Sequence, residues 1–351
     1  MSKFKISASL AVLVAVFLIA VGIGSTNIPP GEILRVILYR TIGIGDIGHI
    51  SNNNPNIIWY LRLPRVVLAF IVGAALAVSG AIMQSVLRNP LASSFTLGVS
   101  SGASLGAALF FFTGLASVLY LPFIGQSLPI SFLPVSGFAF GMLTIVLVVL
   151  MAMKMDGSLS NNTIILVGMI LSLFINSITT LLVALQRQNA QRLIFWQMGS
   201  FSGQRWSVVA LLAPIMLVGV LLALRYHREL DIMTFGEEQA QLMGINMRRV
   251  KWILLIIAAA ITGSAIAFVG IIGFVDLAAP HVVRRIFGSR HRLIIPLSAI
   301  FGGGFMMLCD LVARTIISPG ELPVGVVSAL VGAPFFAYVY FSKGGRGNAK
   351  A

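Results

Sequence analysis

Long apolar runs alternate with short polar segments along the whole chain, and this pattern predicts repeated membrane-spanning helices. A helix needs about 20 consecutive apolar residues to cross the hydrocarbon core of a bilayer. Eight runs meet this requirement clearly, and two shorter or interrupted segments, 94–118 and 277–287, are candidates for full or partial crossings. We therefore expect an all-α fold, a polytopic integral membrane protein with a single transmembrane domain over residues 1–351. The ten predicted spans are 7–24, 64–87, 94–118, 131–152, 163–186, 207–225, 250–270, 277–287, 294–312 and 324–342.

Composition agrees with this pattern. Of all residues, 58% are hydrophobic and only 10% are charged, whereas a soluble domain is about 25% charged. The formal net charge is +14, but the basic residues lie in short loops and form no basic face, which disfavours nucleic-acid binding. The apolar run from Ala8 to Ile23 is interpreted as the first span, because it is long for a signal peptide and no A-x-A cleavage site follows it.

The distribution of Lys and Arg predicts the orientation of the chain. If the N-terminus is cytoplasmic, ten spans return the C-terminus to the cytoplasm, and about two thirds of the 24 basic residues fall on the cytoplasmic side. This orientation places Arg62, Arg65 and Arg314 at the outer mouth and the loop 226–248 in the cytoplasm.

The arginines at the outer mouth have two interpretations. Arg62 and Arg65 flank Pro64, and two arginines so close together cannot both be buried cheaply in a membrane. They either extend to the interface or form a docking point for acidic side chains of an external protein, where charge pairs set orientation and association rate. Arg314 is a candidate for the same surface, although Asp310, four residues earlier, is also expected to pair with it on one helix face.

Two turns and one loop carry the candidates on the cytoplasmic side. The turn formed by Arg88, Asn89, Pro90 and Leu91 breaks a helix, and a second turn contains Asn161 and Asn162. If both turns face one pore, they can close its inner end. Within the loop 226–248, the segment 236–244 is typical of a short amphipathic helix ended by glycine, as expected of a helix that inserts into a partner.

Polar residues within apolar spans are the remaining candidates. Ser172, Asn176 and Thr180 are spaced by four and therefore share one helix face; they either line a pathway or make helix–helix hydrogen bonds. Asp276 is either a functional candidate, as ionisable groups in or beside apolar runs are by default, or simply hydrated, because it lies close to a predicted outer span end.

Motifs for several other functions are missing from the sequence. No G-x-x-x-x-G-K-[ST] or H-E-x-x-H string is present, so energy from ATP would have to come from another polypeptide. The single cysteine, Cys309, and four scattered histidines predict no metal site, and no cofactor is expected. A secondary transporter would require a relay of buried carboxylates. An intramembrane enzyme would require paired catalytic groups. The sequence shows neither pattern. The four histidines are His49, His227, His281 and His291.

Several motifs, in order along the chain, resemble the permease subunits of ABC importers for ferric siderophores, haem and vitamin B12. One such motif alone would be weak, but the series extends from residue 62 to residue 335. The motifs are RLPR at 62–65, RNPLA at 88–92, LGVSSGA at 97–103, WQMGS at 196–200, IGFV at 272–275, ELPVGVV at 321–327 and GAPF at 332–335.

The resemblance implies a ten-span permease of the vitamin B12 importer type that works as a dimer of identical or paralogous chains. It implies docking of an extracytoplasmic binding protein by Arg62, Arg65 and Arg314. It also implies a cytoplasmic gate at Asn89, Pro90, Leu91, Asn161 and Asn162, and coupling to a separate ATPase subunit through Glu237, Ala240 and Gly244. Three positions depart from the family: Asp276 replaces what is usually glycine, and Asn161 with Asn162 stand where the vitamin B12 permease has small hydroxyl residues.

The expected function is therefore transport across a bacterial inner membrane by alternating access. The chain would be the permease and not an enzyme, because ATP hydrolysis would belong to its partner. A permease with a few polar groups and no tight ligand cage suits a bulky iron chelate better than a bare ion. A ferric siderophore is the first expectation for the cargo, followed by haem and then a cobalamin.

Overall fold

A computed structural model describes residues 2–24, 26–48, 50, 53–113, 118–123, 126–157 and 159–341. In these residues the fold is helical apart from one β-hairpin. The elements are α1 (Ser2–Gly22), α2 (Pro30–Ile42), α3 (Asn54–Asn56), a π-helical turn (Ile57–Arg62), α4 (Leu63–Val86), α5 (Val99–Thr113), β1 (Val118–Phe123), β2 (Gln126–Ser131), α6 (Phe132–Met155), α7 (Asn161–Leu185), α8 (Arg187–Gln197), α9 (Trp206–Arg225), α10 (His227–Met233), α11 (Glu237–Leu242), α12 (Met247–Val269), α13 (Val275–Phe287), α14 (His291–Thr315) and α15 (Val324–Phe341).

Seven helical segments of the described chain are long and apolar enough to cross a membrane. Two shorter apolar helices, Val99–Thr113 and Val324–Tyr338, and the amphipathic α13 occupy the three remaining predicted positions. The all-α membrane fold is thus confirmed, and the ten-helix count is consistent with it. Positions 114–117 and 342, at the ends of two predicted spans, lie outside the described residues. The seven long segments are Phe4–Gly22, Asn54–Val86, Phe132–Met155, Asn161–Leu185, Trp206–Arg225, Met247–Val269 and His291–Thr315.

The β-hairpin between α5 and α6 is a departure from the sequence prediction. Strand β1 pairs antiparallel with β2, and Val118 lies opposite Ser131. The prediction placed residue 118 at the end of a span and residue 131 at the start of the next. Pro122 and Pro129 within the hairpin disfavour a helix interior, because proline lacks the N–H that the helix needs.

Helix α4 is the central helix of the bundle. Its sequence is apolar on all sides, which is typical of a helix buried all round, and its side chains are buried along almost the whole length. It packs against α9, α12, α13 and α14. Gly73 of α4 faces the backbone of Gly302 in α14 so closely that neither position has room for a Cβ atom. Small residues at such crossings let helix backbones approach in membranes.

Helices α4 and α14 lie side by side in opposite directions, and a pair of polar side chains joins them at each end. At one end, Arg65 of α4 contacts Asp310 of α14; at the other, Ser85 of α4 contacts His291 of α14. Because an α-helix rises 1.5 Å per residue, the stretch from Arg65 to Ser85 separates these two groups by about 30 Å. We refer to the end with Arg65 and Asp310 as the arginine end, and to the end with Ser85 and His291 as the coupling end.

Candidate functional site

The arginine cluster comprises Arg62, Arg65, Asp310, Arg314 and Glu321. Arg65 donates from Nε to Asp310 Oδ1 at 2.9 Å and from Nη1 to Glu321 Oε1 at 2.7 Å. Asp310 is buried, whereas 37% of the Glu321 side chain is exposed. Arg314 Nε lies 3.8 Å from Asp310 Oδ2. The predicted pair between Asp310 and Arg314 is therefore present, but Arg65 is the nearer partner of this carboxylate.

Arg62 and Arg314 also complete the C-terminal end of α1. Arg62 Nη1 donates to the carbonyl oxygens of Val21 and Gly22, at 2.9 and 2.8 Å, and Arg314 Nη2 donates to that of Ala20. The last carbonyls of a helix have no partner within the helix, and cationic side chains satisfy them well. Arg62 is only 5% exposed. All three predicted docking arginines are thus brought together, and each one binds groups of its own chain.

Glu321 is a residue of this cluster to which the sequence analysis assigned no role. It begins the ELPVG motif, but no periodicity connects it with Arg65, which lies 256 positions away. Only the folded chain shows that the first and last thirds of the sequence meet in one ion-pair network.

The first predicted gate loop, 88–92, follows α4 at the coupling end. Asn89 Oδ1 accepts a hydrogen bond from the backbone N–H of Leu91 at 2.9 Å, which fixes a tight turn. Arg88 has a φ of 48°, a left-handed conformation that is uncommon for residues other than glycine. Leu91 and Pro90 are exposed at the tip of the turn.

The second predicted gate loop connects α6 with α7. Asp156 Oδ2 accepts from the N–H of Ser160 at 3.1 Å, and Ser160 Oγ caps the N-terminus of α7 by accepting from the N–H of Thr163. The Oδ1 atom of Asn161 is buried and has no hydrogen-bonding partner among the described residues. Asn162 is exposed.

The coupling segment consists of α10 and α11. The predicted helix near 236–244 is present as α11, which Gly244 follows in a left-handed conformation, whereas α10 was not predicted as a separate helix. Ala240 is fully buried. Glu237 points toward its own chain, where its Oε1 accepts from Lys251 Nζ at 2.8 Å. Phe235, Leu242 and Met243 are exposed apolar side chains on this segment, at 70%, 88% and 67%.

Helix α10 is connected to α14 and α4 by His291. The Oδ1 atom of Asp231 in α10 lies 2.6 Å from His291 Nδ1, and it also accepts from the His291 backbone N–H at 2.8 Å. His291 Nε2 is 2.6 Å from Ser85 Oγ, which in turn accepts from Arg284 Nη2 of α13 at 3.0 Å. The sequence analysis assigned no role to Asp231, Ser85 or Arg284, because residues far apart in sequence form this network.

Asp276 corrects one expectation. Instead of being hydrated at a span end, it is 1% exposed, and neither of its carboxyl oxygens has a hydrogen-bonding partner among the described residues. It lies in the first turn of α13, and its carbonyl oxygen accepts from Gln84 Nε2 at 3.1 Å. The same carbonyl closely faces Gly80, where no Cβ atom would fit. Burial follows from the packing of the short α13 against α4, which hydropathy does not reveal.

Helix α7 presents one face that is not covered by its own chain. Asn176 and Thr180 lie on this face together with Ser177, which the sequence analysis did not name. Ser172 is only half-buried, and its hydroxyl donates to the Gly168 carbonyl at 2.7 Å. Polar side chains in a membrane helix usually face other protein or a water-filled cavity. The exposed face also carries large apolar side chains, which include Leu173 and Phe174.

The part of the chain that the structure describes contains no group of three or more His, Cys, Asp and Glu side chains that could hold a metal ion. Cys309 is buried. His49 lies outside the described residues.

Comparison with known proteins gives consistent matches over nearly the whole chain. The model of the FecCD transport family matches residues 12–342. The ABC transporter permease protein YvrB of Bacillus subtilis is 42% identical over 94% of this chain and 91% of its own. The cobalamin import system permease protein BtuC of Halobacterium salinarum is 37% identical over 81% of this chain and 73% of its own.

A solved structure matches as well. It is an inward-facing conformation of a metal-chelate type ABC transporter, with a TM-score of 0.81 and 28% sequence identity. The match covers 97% of this chain and 99% of the other.

Proposed function

This chain belongs to the FecCD transport family of ABC importer permeases for iron complexes, haem and vitamin B12, and from that premise we propose that its cargo is an iron chelate, most simply a ferric siderophore. It is a multi-span protein of the bacterial inner membrane. The match to a metal-chelate type transporter over nearly the full length supports this cargo class. Relatives named for Fe(3+)-citrate and hemin support it too, and the cobalamin permease keeps a cobalamin as the second candidate.

The proposal is carried by two features that occur together. One is an apolar tip on the coupling segment, which would face the cytoplasm, and the other is a set of polar groups on a membrane helix that its own chain does not cover. Phe235, Leu242 and Met243 project from the coupling segment, outside the long apolar helices. Exposed apolar clusters on a polar segment mark protein interaction sites. We assign this tip to an ATPase subunit, with Ala240 and Gly244 shaping the helix that presents it.

The polar face of α7 is assigned to the transport pathway. A second permease chain packed near this face would enclose Asn176, Ser177 and Thr180 between the two subunits. Neutral amide and hydroxyl groups bind a large chelate through scattered hydrogen bonds and do not strip its metal, which a cage of carboxylates would do. Rocking of the two halves would then expose this lining to each side of the membrane in turn.

The arginine end is assigned to the extracytoplasmic binding protein. Among the three arginines, Arg65 fits docking best, because its partner Glu321 is partly exposed and a carboxylate of the binding protein could take its place. Arg62 and Arg314 hold the end of α1 and would position the surface around Arg65.

The ATPase contact is testable with a substitution at the exposed tip. Leu242→Glu places a charge in the proposed apolar contact, so we expect association with the ATPase subunit to weaken by about tenfold or more, the effect of losing one well-packed interface side chain. Co-purification of the tagged permease with the ATPase, followed by a titration in detergent, measures it.

Gln241→Glu is the matched control, because it adds the same charge at an exposed polar position of the same helix. Equal ATPase affinity of the Leu242→Glu variant and the unchanged protein would contradict the assignment. In proteoliposomes with the ATPase and the binding protein, uptake of a ferric siderophore should depend on ATP. If ATP drives uptake of cobalamin but not of the siderophore, the cargo is a cobalamin and the proposed iron chelate is wrong.

A further inference from the structure

Lys251 is a completely buried lysine in the first turns of α12. Among the residues that the structure describes, its ammonium group donates to two acceptors, Glu237 Oε1 at 2.8 Å and the Leu159 carbonyl oxygen at 2.7 Å. Its side chain is 0% exposed, whereas that of Glu237 is 27% exposed. A buried charge persists only where partners compensate for lost hydration. The two acceptors therefore hold Lys251 in place, and Lys251 in turn holds both of them.

The two acceptors belong to different functional segments. Glu237 is the first residue of α11, in the coupling segment. Leu159 precedes Ser160, the N-cap of α7, within the second gate loop. The backbone of Leu159 has a φ of 54°, a left-handed conformation that a leucine rarely adopts. The N–H of Leu159 donates to the Asp156 carbonyl at 3.0 Å. Lys251 donates to the Leu159 carbonyl oxygen, so both backbone polar groups of this strained residue are hydrogen-bonded.

We propose that Lys251 is a positioning residue that transmits movement of α11 to the gate loop 156–162. A displacement of Glu237 shifts the ammonium group, and the hydrogen bond to the Leu159 carbonyl then shifts the turn that begins α7. Since α7 carries Asn176 and Thr180, movement at its N-terminus reaches the proposed pathway. The inference rests on the proposed function, in which α11 contacts the ATPase, but the bridge itself can be measured without the ATPase.

The first experiment uses the purified permease alone. Spin labels are attached at Gly157→Cys and Leu242→Cys, two exposed positions on either side of the bridge, in a Cys309→Ala background. We expect one narrow distance distribution for the protein with Lys251. Lys251→Met keeps an unbranched side chain that is one atom shorter and removes both donated hydrogen bonds, so the distribution should broaden or shift.

Lys154→Met is the matched control, because it makes the same change at an exposed lysine next to the same loop. It should leave the distance distribution unchanged. If Lys251→Met does not fold, as judged by gel filtration, Glu237→Ala carries the test, since Glu237 is partly exposed and its loss breaks only the α11 side of the bridge.

The second experiment uses the reconstituted complex with its ATPase and binding protein. Without the bridge, ATP hydrolysis should continue while uptake per ATP hydrolysed falls by about tenfold, in line with the loss of a charge-assisted hydrogen bond. A double variant with Lys251→Met and Glu237→Ala should lose no more than Lys251→Met alone, because both changes break one connection. A merely structural role would lower uptake and hydrolysis together.

The outcomes separate the bridge from the proposed function. An unchanged distance distribution in Lys251→Met, or an unchanged ratio of uptake to hydrolysis, would overturn the role of Lys251. A complex in which the unsubstituted permease neither binds the ATPase nor supports uptake would overturn the proposed function instead, while the distance measurement would still show whether Lys251 holds α11 and the gate loop together.

Discussion

Asp310 shows how one buried carboxylate organises the arginine end. It lies between Arg65 and Arg314 and is almost completely buried, so both guanidinium groups depend on it for compensation. Removing one partner from a buried ion pair leaves an uncompensated charge, which costs far more than the pair contributes. The pair between Arg65 and the partly exposed Glu321 has a smaller effect, because water reaches Glu321 and screens the pair.

This difference predicts unequal effects of two similar substitutions. Asp310→Asn should lower the free energy of unfolding by about 3 kcal/mol, the scale for a broken buried pair. Glu321→Gln should lower it by less than about 1 kcal/mol. Thermal unfolding of the detergent-purified protein measures both, and a Glu321 variant as unstable as the Asp310 variant would contradict the assignment of Asp310 as the central carboxylate.

At the scale of elements, the crossing of α4 and α14 depends on glycine. Three consecutive glycines, Gly302-Gly303-Gly304, are compatible with a tight crossing or with a local break, and α14 continues as a helix through them. Gly302 faces the backbone of Gly73, whereas the nearest atom to a Cβ at Gly304 would be Leu13 Cδ1, at 3.5 Å. Two glycines of one run, Gly302 and Gly304, therefore have different roles.

Alanine substitution should distinguish these two glycines. Gly302→Ala forces α4 and α14 apart and should destabilise the protein by about 1–3 kcal/mol, as overpacking does. Gly304→Ala meets ordinary contacts and should be neutral or stabilise by about 0.5–1 kcal/mol, since glycine is the weaker helix former. Thermal unfolding of the two variants under identical conditions provides the comparison. Equal destabilisation would show that the crossing does not depend on Gly302.

At the scale of the whole molecule, the uncovered face of α7 predicts a second permease chain. Asn176→Cys, in a Cys309→Ala background, should form a cross-link between two chains in membranes when a short bifunctional thiol reagent is added. Leu221→Cys is the control, because Leu221 is an exposed apolar side chain of α9, 56% accessible, where a lipid contact is expected. Cross-linked dimer on a denaturing gel measures the result; cross-linking at Leu221 but not at Asn176 would place the subunit contact elsewhere.

The sequence by itself determined the membrane class and most of the helices. Apolar length is a local property, and a bilayer requires every spanning backbone to satisfy its own hydrogen bonds, which leaves the helix as the form for such runs. Local chemistry also determined the turn at Asn89 and the glycine-ended helix α11. The hairpin between α5 and α6 was missed, because hydropathy does not separate a short apolar strand from a helix end.

Only the tertiary structure decided which polar groups, of side chains and backbone, contact each other. Arg65 and Glu321, Ser85 and His291, and Lys251 and Leu159 are far apart in sequence, and no periodicity relates them. Burial of Asp276 likewise depends on α13 packing against α4, a contact that no local pattern encodes. An unpaired charge in an apolar interior is costly, which favours partners for groups such as Arg65 and Lys251, but the three-dimensional path of the chain selects those partners.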